Sequence, residues 1–135
     1  MIEGVFESEY PLLIRTDFSN DIAWNKIIDK IKSSENEFEA VINFIYDKTH
    51  DGLSINNLPK FTVEQEKHDF IFLADSISMT HAENPICCID LAEEFGRCFR
   101  VLPSSVWAVS NNLFLVNMDF SDFANNTDVD GIYRC

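Results

Sequence analysis

Four consecutive apolar residues, Phe70-Ile71-Phe72-Leu73, stand between Asp69 and Ala74 without a polar interruption. A strand with one wet face alternates apolar and polar side chains, whereas an unbroken run is dry on both faces. The run therefore predicts a central strand over 69–74, with packed layers above and below it. Further apolar runs offer partners: Leu12 to Arg15, Phe38 to Tyr46, Ile86 to Leu91, Cys98 to Leu102 and Leu113 to Met118. The fourth and fifth segments in chain order, joined by Glu93-Glu94-Phe95-Gly96-Arg97, read as a hairpin.

Helical signals fall between these runs. Trp24, Ile27, Ile28 and Ile31 recur at i, i+3, i+4 and i+7, one apolar stripe. Ser19 is a fair N-cap, and Asp21 in the first turn suits the helix dipole, so a helix is expected from Ser19 to about Lys32. Ser54 to Leu58 reads as a helical turn stopped by Pro59, and 60–68 as a polar loop. Thr80 to Pro85 reads as a turn. Pro103-Ser104-Ser105 opens a short helix bearing Trp107 and Val109, which Asn111-Asn112 breaks. The run Leu113 to Met118 is then the last strand, and Asp119, with Asp122 three residues on, caps a last helix. Strands and helices mix without strict alternation, which points to an α+β or α/β fold. The expectation is a single mixed sheet of about five to six strands with two main helices packed on it. One domain should span 1–135, with 1–9 a loose lead-in, since 135 residues suit a single core.

The charge excludes some partners. The chain carries a formal net charge of −13 with only 10 Lys and Arg. That balance argues against phosphate backbones and anionic membrane surfaces. Residues 61–95 hold eight acids (Glu64, Glu66, Asp69, Asp75, Glu83, Asp90, Glu93, Glu94) against Lys67 alone, a net −7 of the −13. The N-terminus has no basic region followed by an apolar run, and no apolar stretch nears the roughly 20 residues of a spanning helix. The four cysteines, Cys87, Cys88, Cys98 and Cys135, lack the spacing of a zinc site or a disulfide framework. Reduced thiols in the cytoplasm are the expected state.

An ordered set of motifs runs through the chain: Arg15-Thr16-Asp17-Phe18-Ser19 with Trp24; Phe70 to Asp75; Gly96-Arg97-Cys98-Phe99-Arg100-Val101 with Pro103-Ser104 and Trp107; Asn111-Asn112-Leu113; Asn117-Met118-Asp119-Phe120 with Phe123; and Asp128-Val129-Asp130-Gly131-Ile132-Tyr133-Arg134. In these the chain resembles a small bacterial domain family of unknown function, over roughly Tyr10 to Arg134. The resemblance implies one cytoplasmic bacterial domain. It carries over no catalytic residue and no cofactor.

Asp17, Asp75 and Asp119 each follow an apolar run. On parallel neighbouring strands they would gather, with Arg15, at the carboxyl edge of the sheet, where open α/β sheets bind ligands. The plain alternative makes Asp17 and Asp119 turn and cap residues. Asp128-Val129-Asp130-Gly131 resembles part of a calcium loop, but a twelfth-position acid is missing. His50, His68 and His81 stand in polar contexts, and Cys87, Cys88 and Cys98 in apolar ones, so no nucleophile–base pair is legible. The three cysteines read as small core hydrophobes, and Trp24 and Trp107 as core anchors. With four glycines there is no phosphate loop. Arg15, Arg97, Arg100 and Arg134 are expected to pair internally with acids.

These features favour a non-catalytic acidic domain binding a basic protein partner, in the manner of an immunity-type toxin inhibitor. Glu64, Glu66, Asp69, Glu83, Glu93 and Glu94 are its expected contact surface. Two alternatives stand beside it: a ligand- or metal-binding, enzyme-like domain using Arg15, Asp17, Asp75 and Asp119, and a structural or regulatory module.

Overall fold

The computed structural model describes residues 10–33, 42–57 and 68–134. Six strands make one mixed sheet in the order β2-β1-β3-β4-β5-β6. They are β1 (Leu12–Arg15), β2 (Asn43–Ile45), β3 (Phe70–Ala74), β4 (Ile86–Asp90), β5 (Cys98–Val101) and β6 (Ile132–Tyr133). The centre of the sheet is dry, as the unbroken apolar run requires: all of β1, β3 and β4 is buried. β1 lies parallel to both β2 and β3, while β3, β4 and β5 run antiparallel in turn and β6 lies parallel to β5.

The pleat sends alternate side chains to two cores. On one face Leu13, Phe70, Phe72, Ile86, Cys88, Phe99 and Val101 meet all four α-helices. These are α1 (Asp21–Lys32), α2 (Ser76–Thr80), α3 (Val106–Phe114) and α4 (Phe120–Ala124). α1 sets its predicted stripe of Trp24, Ile27 and Ile31 into this core. Asn20, one residue after the expected cap, starts the helix by accepting from the Ala23 N–H at 3.0 Å. On the other face Leu12, Ile14, Ile45, Ile71, Leu73, Cys87 and Ile89 form a smaller core, with Leu53 and Leu91 packed against it. Leu53 belongs to the connection from β2 to β3, so that crossover reaches the face opposite α1.

The segment 113–118 departs from the expected last strand. α3 runs on through Asn111-Asn112 to Phe114. Val106, Val109 and Ser110 are buried and Leu113 packs on the same core, a helical spacing. Burial of that stripe outweighs the weak helix preference of two asparagines. The residue after the C-cap Leu115 is Val116, whose φ is +58°. There the Asn117 N–H donates to the Asn112 carbonyl (2.9 Å) and the Val116 N–H to the Leu113 carbonyl (3.2 Å), the paired closing bonds of a Schellman turn. The sixth strand is Ile132–Tyr133 instead. α2 was not anticipated; Asp75 and Ser78 close a capping box at its start. Trp24 is buried, but Trp107 is only half-buried. Of the expected strand 38–46, Asn43–Ile45 is seen and 38–41 lies outside the described residues, as do residues 1–9 and most of the 60–68 loop.

Candidate functional site

β1 connects to β2 on one side, and β3 lies on the other. The crevice between the carboxyl ends of β1 and β3 is thus a switch point of the kind where open α/β sheets take ligands. A cleft of about 400 Å³ opens there. Thr16 and Asp17 enter it from the end of β1, and Asp75 and Ser76 from the end of β3. Asp51 to Ser54 form one wall, and Leu73, Cys87, Ile89 and Cys98 form the sheet side.

Both strand-end acids of the cleft, Asp17 and Asp75, also bond the fold. Asp75 receives two hydrogen bonds from Arg100, Nη1 to Oδ1 at 2.9 Å and Nη2 to Oδ2 at 2.7 Å, and one from the Ser78 N–H at 3.1 Å. Burial alone would raise its pKa, but the hydrogen bonds and charge of Arg100, with the Ser78 N–H, hold it below the ordinary 3.8. Asp17 accepts from the Ser19 N–H at 2.9 Å and from its hydroxyl. Thr16 ties the two strand ends together, its N–H donating to the Ala74 carbonyl at 2.9 Å.

Of the four residues expected at this edge, Asp17 and Asp75 meet in the cleft. Arg15 does not line it. Its side chain, on a residue only 5% exposed, stacks 4.5 Å from Phe18 and 5.4 Å from Trp24 and bonds Asp21 at 2.8 Å. Asp119 stands at the other end of β3, because 113–118 is no strand. The expected internal pairing of arginines holds: Arg97 bonds Glu94, and Arg134 bonds Glu83 and Asp128. Asp128 also accepts from the Asp130 and Ile132 N–H groups, so the apparent calcium-loop fragment is a turn leading into β6.

A second cleft, about 190 Å³, lies at that other end. Asp69, Asp90, Glu93 and Asp119 line it beside Phe70, Leu113, Met118, Phe120 and Val116. Asp90 is buried and accepts from the Ala92 and Glu94 N–H groups (2.9 and 3.0 Å), shaping the β4–β5 hairpin. Asp69, Glu93 and Asp119 are exposed at the rim, as is Val116 at 80%. Of the expected contact acids, Asp69 and Glu93 meet here, Glu83 and Glu94 are engaged with arginines, and Glu64 and Glu66 lie outside the described residues. Sequence reading missed this cleft: beside Phe70 its floor comes from α3, α4 and the turn between them, and the chain from 113 to 118 was expected to be a strand.

A protein-family model described as "Domain of unknown function (DUF6924)" matches residues 10–135. The chain belongs to the DUF6924 family. That match covers the whole span over which the motifs resemble an uncharacterised family, and includes both clefts of the DUF6924 domain. No curated protein matches the chain. Among the described residues of the domain, no three His, Cys, Asp or Glu side chains are grouped to hold a metal ion, and no helix is long and apolar enough to cross a membrane.

Proposed function

We propose that this DUF6924 domain is a non-catalytic binding protein for a basic protein partner, acting as an immunity-type inhibitor of a basic toxin in the bacterial cytoplasm. The smaller cleft carries this reading. Exposed carboxylates of Asp69, Glu93 and Asp119 ring an apolar floor, and that combination suits a Lys or Arg side chain. The aliphatic stem rests on Phe70, Leu113 and Met118 while the cation meets the acids. Val116 supports the same site. An exposed β-branched residue held at positive φ is a strained feature, and such strain collects where a surface is used. The net charge of −13 steers a basic partner toward the surface over a longer range.

The test is capture of a basic protein from the source organism on the immobilised full chain, followed by association kinetics at low and physiological salt. Association should slow several-fold as the screening length falls from about 30 Å to about 8 Å. Asp69→Asn with Glu93→Gln should weaken binding while leaving the melting temperature near that of the parent. A partner indifferent to both salt and the double variant would sink the reading.

The larger cleft favours a second reading, a small cationic or hydroxyl-bearing ligand held by Asp17, Thr16 and Ser76 at the switch point. Melting curves with Mg²⁺, Ca²⁺, Mn²⁺ and small polyamines, repeated on Asp17→Asn, check it. A ligand of the native state raises the melting temperature, and Asp17→Asn should abolish that rise.

A further inference from the structure

The larger cleft holds two cysteines on adjacent strands. Cys87 pairs with Arg100 and Ile89 with Cys98 across the β4–β5 ladder, so Cys87 and Cys98 are diagonal neighbours on one face. Both line the cleft. Cys87 is buried beneath it and Cys98 is exposed to solvent. The two thiols are near enough for each to shift the other's titration. Arg100, two residues along β5, points to the same face and keeps its guanidinium there through Asp75 and the Pro85 carbonyl.

We propose that Cys98 is a hydroperoxide-reactive thiolate and Cys87 its resolving thiol. Reactive redox cysteines combine solvent access, thiolate character and a second thiol in reach, and this pair combines all three. The neighbouring Cys87 thiol, helped by the Arg100 charge, outweighs burial and the opposing Asp75 charge, and brings the Cys98 thiol down to about 6. The adjacent Cys98 and burial push the Cys87 thiol up, so it stays protonated until its turn comes. Cys88, facing the helical core, is pushed up by burial and plays no part.

The chemistry closes without a metal. The Cys98 thiolate attacks one peroxide oxygen and an S–O bond forms. The O–O bond breaks, and the departing alkoxide or hydroxide takes a proton from water. Sulfur is oxidised by two electrons to the sulfenic acid while the peroxide is reduced. The Cys87 sulfur then attacks the Cys98 sulfur, an S–S bond forms, the S–O bond breaks, and hydroxide leaves with the Cys87 proton as water. Diagonal neighbours on an antiparallel ladder have Cα atoms roughly 7–8 Å apart, beyond the roughly 4.4–6.8 Å that a disulfide spans, so the bridge requires the backbone to move. Closing the bridge draws β5 toward β4 and leaves a bond that is readily reduced, as befits a reversible modification. This inference is independent of the basic partner, which is placed at the other cleft.

The reduced full chain is titrated with hydrogen peroxide, quenched by alkylation and mapped by peptide mass. The parent should lose the Cys87 and Cys98 thiols together and yield one intramolecular Cys87–Cys98 link that dithiothreitol reverses. Cys87→Ala should stop at a sulfenic acid on Cys98, trapped by dimedone. Cys98→Ser should react at least about ten-fold more slowly, since the remaining thiols are largely protonated at neutral pH. The parent's rate should also level off just above pH 6, where a free cysteine is still gaining thiolate. The parent alone suffices if a variant folds poorly. Oxidation of Cys98 no faster than that of free cysteine, or only links between molecules, would overturn the proposal.

Discussion

Asp75 shows how one side chain can occupy a ligand-binding edge and still belong to the fold. Its carboxylate caps α2 through Ser78 and holds Arg100 in a two-pronged bond, with the Asp75 side chain 26% and the Arg100 side chain 21% exposed. Asn at the same position keeps the cap and removes the charge, so Asp75→Asn isolates the ion pair. Because both groups retain some water, the expected loss is about 1–2 kcal/mol in urea denaturation at neutral pH. The folded pKa lies below the ordinary 3.8, so the pair's stabilisation is fully present above 3.8 and disappears as pH falls through the lowered folded value. The gap between parent and variant should therefore hold constant above 3.8 and close progressively below it. A gap that stays open in strong acid would mean that the variant disturbs packing and not charge.

At the scale of elements, the end of α3 is the decisive feature. A Schellman turn needs a residue in the left-handed region, a place glycine fills without strain, and here Val116 fills it. Since Val116 is 80% exposed, its replacement forfeits little burial. Val116→Gly should raise stability by about 1 kcal/mol, relief of a left-handed β-branched residue outweighing the extra freedom of the unfolded chain. Equilibrium denaturation measures this directly. If the rim of the smaller cleft is where a basic partner docks, the same variant should bind more weakly. Gain in stability with loss of affinity is the pattern of strain retained for use. A loss of stability would show that the turn is not under strain.

Over the whole molecule, charge sets the response to salt. A body with a net −13 repels itself, since its ten Lys and Arg, the four arginines among them paired with neighbouring acids, fall far short of its 23 Asp and Glu. Raising sodium chloride from about 10 mM to about 1 M shortens the screening length from roughly 30 Å to 3 Å. The melting temperature should rise across that range. A fall would mean that the specific ion pairs, led by Asp75–Arg100, contribute more than the general repulsion costs.

What could be read from residues alone was what depends on near neighbours in the chain. The dry run of β3, the stripe of α1 and the β4–β5 hairpin follow from side-chain period, and the acidic field follows from counting. What the folded chain decided was which of those pieces come together. Leu113 to Met118 is as apolar as a strand, and only contact with a core built by distant residues selects the helix and its turn. That choice moved Asp119 away from Asp17 and Asp75 and set it beside Asp69 and Glu93. Likewise, Cys98 reads as one more apolar strand residue, yet the ladder register places it on the open face, diagonal to Cys87. Periodicity is a local property of a sequence, whereas adjacency in a cleft depends on strand order and register, which are fixed by contacts between residues far apart in the chain.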